Sequence, residues 1–518
     1  MNFKRILALL LTVSVLIALI SCTVAEESEA KESGSHATSA VETDPAESVS
    51  ETQEEQKETK ELDPVDTQET PIEDAPVDTQ ETPIEDDPVD VTASTSTTKP
   101  PVTTTRVTTT AAPTTSGAYG RGESYTPAIK NNLTLSQVNS VPVVKEGMSA
   151  GELRDICWDF MTLQMNVGWK VSAGFTAMEG SNKQVHKVNT LYGGMPYSSS
   201  TFNNLYQFMY YYDSATGYMD LTALQNNTVA ATLKDSGQKD LVALQLGNQC
   251  SASSLWAWSR VSNAISWNGT SNVLPVNGAI FLGDLHEAFK SKYGSVTQFT
   301  DSTASFLASL PKETVYAAYA MLQKADGLVY NAGKVGGSGG HVMMVHKVDV
   351  ANQRIYIQDQ TTRGVGKVGL HGGSYRYFTF AWFLERGAIP FTIPEFVGQS
   401  PVENGFATFS HSGATVNVTQ LLAAKIDSNY MISDVTVKVM NGNEVVGKHF
   451  YTTTVNLSLY AAQSADKIAV SLKHSDRNKN LGATSSQYEA YVGKGYQVRV
   501  DVRISTGEVF TVYNGTLA

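Results

Sequence analysis

The chain has 518 residues, of which 41% are hydrophobic and 17% are charged, and its formal net charge is −13. This length allows two or three domains. Basic residues are scattered along the sequence, which argues against a nucleic-acid partner, and the spacing of Cys and His is not that of a metal site. We therefore expect no nucleic acid, no metal and no other cofactor, and we take the chain as a monomer.

Residues 1–22 are predicted to be a lipoprotein signal peptide. Two basic residues near the start precede an apolar run over 6–20, which is typical of a secretory signal. The run ends in Leu, Ile, Ser and Cys22, which resemble the cleavage box of bacterial lipoproteins. Cys22 would then carry the lipid anchor, with cleavage at another position as the alternative. No other run is long enough to cross a bilayer, so the remainder is expected at the extracellular face of the cell membrane or in the cell wall.

Residues 23–116 have the composition of a disordered tether. Residues 23–92 contain 23 acidic and 3 basic residues, and a twelve-residue unit that begins at Pro64 is repeated from Pro76. Such a segment cannot bury a core. Its charge of −20 exceeds that of the whole chain, so the rest of the protein is slightly basic. Residues 93–116 continue as a spacer rich in Thr and Pro.

Residues 117–395 mix two kinds of hydrophobic pattern. Helical periodicity covers 150–163 and 312–323, and strand-like runs cover 341–350 and 354–358. The mixture predicts an α+β domain.

Residues 396–518 are predicted to form a separate, all-β accessory domain. Short runs alternate Val, Thr, Tyr and Ile with polar residues and are separated by turn signals. The runs are 414–418, 434–439, 467–472, 497–504 and 508–513. This spacing favours an Ig-like β-sandwich.

Cys250 is the first candidate for catalysis. It follows Gly, Asn and Gln, and it precedes a run in which Leu255, Trp258, Val261 and Ile265 recur at helical spacing. The pattern places the Cys250 sulfur at a helix N-terminus. Unpaired backbone N–H groups and the helix dipole favour a thiolate there.

His341 is the second candidate. A Gly-rich turn ends at Gly340 and leads into a strand that begins with His341 and alternates its side chains between two faces. A His at the start of a buried strand can be held rigidly against a cysteine at a helix start. This is the nucleophile and general-base arrangement that thiol catalysis requires.

Cys157 is the one other cysteine beyond the signal peptide. It lies in an amphipathic helical pattern, where a small buried thiol is common. We therefore interpret Cys157 as structural. A disulfide between Cys157 and Cys250 is the alternative in an extracellular protein.

These residues carry a resemblance to the NlpC group of papain-like cell-wall peptidases. In that group an Asp-Cys-Ser-Gly helix start supplies the nucleophile and a Gly-His-Val strand start supplies the base. Here the motifs are Gln-Cys-Ser-Ala around Cys250 and Gly-His-Val around His341. Residues 326–330 resemble the strand that precedes the family's His, and Gly-Met-Pro-Tyr197 resembles the segment whose Tyr lies at the active site.

The sequence also departs from the family pattern. Gln249 replaces the Asp, Ala252 replaces the Gly, and the long interval between Tyr197 and Cys250 indicates an inserted helical subdomain. The related CHAP amidases would use the same Cys and His. Gln245, five residues before Cys250, would instead suit a general papain-like protease, whose oxyanion Gln lies close upstream.

The family's third catalytic residue lies on the strand after the His, where this chain has Gln358, Asp359 and Gln360. We select Asp359, because a carboxylate both fixes the imidazole tautomer and stabilises the imidazolium. The resemblance implies that Tyr197, Gln249 and Gln358 contact the substrate or its oxyanion.

The implied activity is cleavage of amide bonds, with the stem peptides of peptidoglycan as substrate. An alternative from another class is a surface adhesin, in which the same region is catalytically inactive and only binds the wall or host glycans.

Overall fold

The computed structural model of the protein describes residues 130–172, 175–179, 182–197, 202–220, 247–331, 340–361, 372–455 and 457–518. The predicted signal peptide, Cys22, the tether and Gln245 therefore lie outside the described residues.

The described part of the chain contains eleven α-helices. In chain order, α1 to α11 span Leu135–Asn139, Ala150–Asn166, Leu205–Tyr210, Cys250–Trp258, Leu285–Tyr293, Thr303–Ala308, Lys312–Ala320, Phe380–Arg386, Val418–Ala423, Leu457–Asp466 and Ser486–Glu489. Short 3-10 helices include Thr270–Asn272, Pro275–Asn277, Pro394–Val397, Thr453–Val455 and Arg477–Lys479.

The same residues contain 21 strands. In chain order, β1 to β21 span Lys130–Asn131, Val167–Trp169, Phe175–Glu179, Asn182–His186, Tyr192–Gly193, Tyr212–Asp213, Tyr218–Met219, Ile280–Phe281, Gly327–Tyr330, His341–Asp349, Arg354–Thr361, Gly372–Thr379, Ile389–Thr392, Ala407–Phe409, Thr415–Val416, Lys425–Ser428, Ile432–Asn441, Glu444–Thr452, Val470–Ser471, Gln497–Ile504 and Val509–Leu517.

A six-stranded antiparallel sheet organises the residues before 396. Its strand order is β12-β11-β10-β9-β13-β8. Residues Val342 to Val345 of β10 are at most 1% exposed, so this inner strand is buried on both faces. The sheet therefore holds the side chains at the ends of its strands rigidly.

Helix α2 packs against this sheet and forms where the periodicity predicts it. Ser149 caps its N-terminus in a reciprocal capping box with Glu152. Arg154 and Asp326 form a buried ion pair of 2.7 Å between α2 and the turn before β9. Helix α7 also begins as predicted and ends three residues before the expected limit of 323.

The C-terminal region, residues 396–518, contains the predicted strands, but it is not all-β. A five-stranded sheet, β15-β21-β20-β17-β18, accompanies a three-stranded sheet, β14-β16-β19. Helices α9 and α10 interrupt the strand pattern, which corrects the expectation of an all-β domain. Asn417 and Gln420 form a capping box that starts α9, and α10 buries Leu459 and Tyr460.

Buried contacts cross the boundary expected at residue 396. The buried apolar residues form one connected cluster that includes side chains from both sides of that position. The described residues also belong to one compact unit. The confirmed fold class is therefore mixed α+β, and the described part of the expected insertion contains α3 and the β6-β7 hairpin.

Glu395 lies in this shared interior. It is 4% exposed, and its carboxylate accepts a hydrogen bond of 2.7 Å from the Ser262 hydroxyl. Burial raises the pKa of Glu395 to about 7, although the hydrogen bond from Ser262 opposes this shift. A carboxyl group with a raised folded-state pKa stabilises the fold below its unfolded pKa, and this contribution is lost as the pH rises through about 7.

We expect Glu395→Gln to stabilise the protein selectively at alkaline pH. The amide resembles the protonated carboxyl group, so the variant and the natural chain should melt alike at pH 5. At pH 8 to 9 the variant should be more stable by on the order of 1–3 kcal/mol. Thermal melts at both pH values test this. The exposed Glu444→Gln should shift the Tm little, and an equal gain at both pH values would contradict the prediction.

Candidate active site

Cys250 is the first residue of α4, as the sequence predicts. The N-cap residue, Gln249, has an extended backbone (φ −100°, ψ 172°), and its side chain caps no amide of the first turn. Cys250 is 4% exposed, and the rest of α4 is buried as well. Uncapped N–H groups and the positive end of the helix dipole therefore lie beside the sulfur, where they favour negative charge.

The loop before α4 is held by polar contacts. The backbone N–H of Asn248 donates to the Pro196 carbonyl (3.1 Å), and its side-chain amide donates to Gln164 (3.2 Å). The Gln360 amide donates to the same Pro196 carbonyl (3.1 Å). Tyr197 forms an isolated β-bridge with Asn248. This bridge places Tyr197 beside the loop that leads to Cys250. The Tyr197 side chain is half-buried.

His341 is the first residue of β10, also as predicted. Its backbone pairs with Tyr330 of β9, and the two ring centroids are 5.8 Å apart. Nε2 of His341 lies 2.6 Å from Oδ2 of Asp359, and the His341 side chain is 14% exposed. Because Asp359 engages Nε2, Nδ1 is the ring nitrogen that remains for the cysteine.

Cys250 lies close enough to His341 to affect the pKa of the imidazole. Burial alone lowers the pKa of His341. The nearby Cys250 side chain and the hydrogen bond between His341 and Asp359 oppose this effect and raise the pKa of His341 well above its usual value. An imidazolium is therefore stable beside the sulfur, as in the paired state of a cysteine nucleophile and its base.

Of the three candidates on β11, Asp359 is placed in contact with His341. Side chains alternate between the faces of a strand, so Gln358 and Gln360 project to the face opposite Asp359. Gln358 is fully buried and accepts a 3.3 Å hydrogen bond from Thr162 of α2. Gln358 also contacts the sulfur of Met344 (3.8 Å), and its role as a substrate contact stays a prediction.

Arg376 is a residue of this cluster that the sequence reasoning missed. It lies on β12, and its guanidinium forms an ion pair with the same Asp359 oxygen that contacts His341. Asp359 is fully buried and the Arg376 side chain is 10% exposed. The sequence signal that could have indicated Arg376 is a single cation in an otherwise aromatic, strand-like run. Its role becomes clear only from its ion-pair partner on β11, Asp359.

Both described cysteines are free, so the alternative of a disulfide is excluded. Cys157 is fully buried within α2, and this burial raises the pKa of its thiol well above the usual value. A buried, neutral thiol fits the structural role expected for Cys157.

No protein-family model, curated protein or solved structure matches the chain. The resemblance to cell-wall peptidases therefore rests on the motif residues alone. Within the described ranges, no helix is long and apolar enough to cross a membrane. The same ranges contain no group of His, Cys, Asp and Glu residues that could hold a metal ion.

Iodoacetamide at pH 7 should alkylate Cys250 at least about ten times faster than Cys157, because only Cys250 lies at a helix N-terminus beside a cationic imidazole. Mass spectrometry of peptides from a time course measures both rates. In Cys250→Ala the remaining label should appear slowly at Cys157. Equal rates at the two positions in the folded protein would contradict the assignment.

Arg376→Gln should destabilise the fold by about 2–4 kcal/mol, because it leaves the buried Asp359 carboxylate with one cationic partner fewer. Asp359→Asn should cost much less in the Arg376→Gln background than alone, with a coupling of at least about 1 kcal/mol. Denaturant unfolding of the four proteins in the double-mutant cycle measures this coupling.

Arg354→Gln is the matched control for Arg376→Gln. Arg354 lies on the neighbouring strand with its guanidinium 4.8 Å from the ring of Tyr377, and it is half-buried. Its loss should cost less than about 1 kcal/mol and should show no coupling to Asp359. Additive effects of Arg376→Gln and Asp359→Asn would show that their contact carries no energy.

Proposed function

We propose that the protein is a cysteine hydrolase that cleaves amide bonds, with a papain-like, NlpC-like catalytic region over residues 117–395. The observation that carries the proposal is the arrangement of Cys250, His341 and Asp359. A nucleophile at the uncapped start of a buried helix interacts with an imidazole whose other nitrogen is held by a fully buried carboxylate. An activated thiol requires such a nucleophile, a neighbouring base and a group that orients the base.

The reaction begins from the pair of Cys250 thiolate and His341 imidazolium. The sulfur attacks the carbonyl carbon of the amide, and the tetrahedral intermediate collapses as His341 gives its proton to the departing amine. The C–N bond breaks and a thioester remains on Cys250. Neutral His341 then takes a proton from water, which attacks the thioester, and the C–S bond breaks to restore the ion pair.

The oxyanion of each intermediate would lie near the first turn of α4. The backbone N–H of Cys250 is available there because Gln249 does not cap the turn. The side chains of Gln249 and Tyr197 are the candidates for further donors, since both are half-buried next to the same loop. Asp359 orients His341, and Arg376 balances the charge of Asp359.

Stem peptides of peptidoglycan are the proposed substrate. A lipid anchor at Cys22 and a tether over 23–116 would place the catalytic region within the cell wall, where these peptides supply the accessible amide bonds. The membrane contact is thus made through the anchor, and the catalytic unit acts as a monomer.

Digestion of purified peptidoglycan by the full chain should release free amino groups and no reducing sugar ends. Cys250→Ala and His341→Ala should each reduce this release by on the order of 1000-fold or more, and the double variant should be no worse, because the two residues act as a unit. Amino-group assays and mass spectrometry of the released muropeptides measure the effect and identify the bond.

Cys157→Ala is the matched control and should retain activity, provided that the variant remains folded. If the natural chain and Cys250→Ala sediment equally with cell walls and neither releases amino groups, the protein is a wall-binding protein and the hydrolase assignment is wrong. Release of amino groups from denatured proteins but not from peptidoglycan would instead identify a general papain-like protease.

A further inference from the structure

Residues 202–210, here called the bridging segment, lie between helix α4 and the C-terminal region. The backbone carbonyl of Phe202 accepts a 2.8 Å hydrogen bond from the indole N–H of Trp256 in α4. The ring of Phe202 stacks on Tyr460 of α10, with centroids 4.4 Å apart and an interplanar angle of 28°. One residue thus contacts the nucleophile helix through its backbone and the C-terminal region through its side chain.

Asn203 makes a second connection, and it ends closer to the nucleophile. Its side-chain N–H donates a 2.9 Å hydrogen bond to the carbonyl of Gly247, three residues before Cys250. Its side-chain oxygen lies 3.0 Å from the hydroxyl of Thr454, and that hydroxyl also lies 2.6 Å from the side-chain oxygen of Gln207. Asn203 is 2% exposed, so water competes little for these contacts.

The C-terminal region also contacts the other end of α4. The hydroxyl of Ser505 donates a 2.7 Å hydrogen bond to the carbonyl of Ser259, the C-cap residue of the helix. Asn204 of the bridging segment donates to the hydroxyl of Ser433 at 3.0 Å. The nucleophile helix is therefore attached to residues 396–518 at its C-terminus directly and at its N-terminus through the bridging segment.

These attachments matter because Cys250 and His341 belong to different elements. His341 is fixed by the six-stranded sheet, whereas Cys250 moves with α4 and with the peptide groups that precede it. Apolar packing limits how far α4 can move, but hydrogen bonds set the orientation of individual peptide groups. A misplacement of about 1 Å between reacting groups can reduce a rate by about 100-fold.

We propose that the C-terminal region is part of the active-site framework, and that Thr454 acts through Asn203 and Gly247 as a positioning residue for Cys250. Residues 396–518 are then not an independent accessory module. The proposal rests on the proposed function, since it assigns a role in setting the geometry of the Cys250 and His341 pair.

Thr454→Val in the full chain tests the proposal, because it keeps the side-chain shape and removes the hydroxyl. We expect alkylation of Cys250 by iodoacetamide at pH 6 to slow by roughly 3- to 10-fold, because the variant loses the partly buried hydrogen bonds of the Thr454 hydroxyl. Thr454→Ser retains the hydroxyl and should restore the rate. With peptidoglycan as substrate, kcat should fall with KM nearly unchanged.

Thr453→Val is the matched control. Thr453 is fully buried in the same 3-10 helix, and its hydroxyl donates a 2.8 Å hydrogen bond to the Ile432 carbonyl within the C-terminal region. Its loss should lower the Tm but leave the alkylation rate within about twofold, because it does not lie on the path to Gly247. Equal alkylation rates in Thr453→Val and Thr454→Val would overturn the proposal.

Alkylation requires no substrate, so the two proposals can fail separately. An altered rate in Thr454→Val, restored by Thr454→Ser, supports positioning even if no peptidoglycan is cleaved. Full hydrolysis and an unchanged alkylation rate in Thr454→Val overturn positioning and leave the hydrolase assignment intact.

Discussion

The buried carboxylate of Asp359 is the constraint on which the site depends. A fully buried anion is costly unless it is paired, and Asp359 is paired with Arg376 on one neighbouring strand and His341 on the other. Removing either partner leaves charge in the interior with less compensation. The three strands β10, β11 and β12 are therefore tied together by one oxygen atom, and the orientation of the His341 ring follows from that pairing.

Cys250, the proposed nucleophile, belongs to a different element of the fold. Cys250 begins a helix that is buried along its whole length. Hydrogen bonds attach this helix to residues 202–210 and to the C-terminal region, as well as to α2 and to Ala325. One connected apolar core extends across the boundary expected at residue 396. The parts of the chain before and after residue 396 therefore differ in secondary-structure content, but they pack together into one core.

The elements that carried strong local signals were predicted well. Helix starts at residues 150, 250 and 312 and strand starts at 341 and 354 follow from periodicity and alternation within short windows. The prediction of an all-β C-terminal region was wrong because α9 and α10 lie almost entirely in the intervals between the alternating runs, which were interpreted as turns.

By itself, the sequence determined that Cys250 begins a helix and that His341 begins a strand, because each depends on a few neighbouring residues. Alternation along β11 restricted the third residue to one face or the other, but not to which face meets the histidine. The tertiary structure shows Asp359 in contact with His341, pairs Asp359 with Arg376 and places Thr454 two contacts away from Gly247. These pairings join residues far apart in sequence, and their energies arise only when burial removes water from both partners.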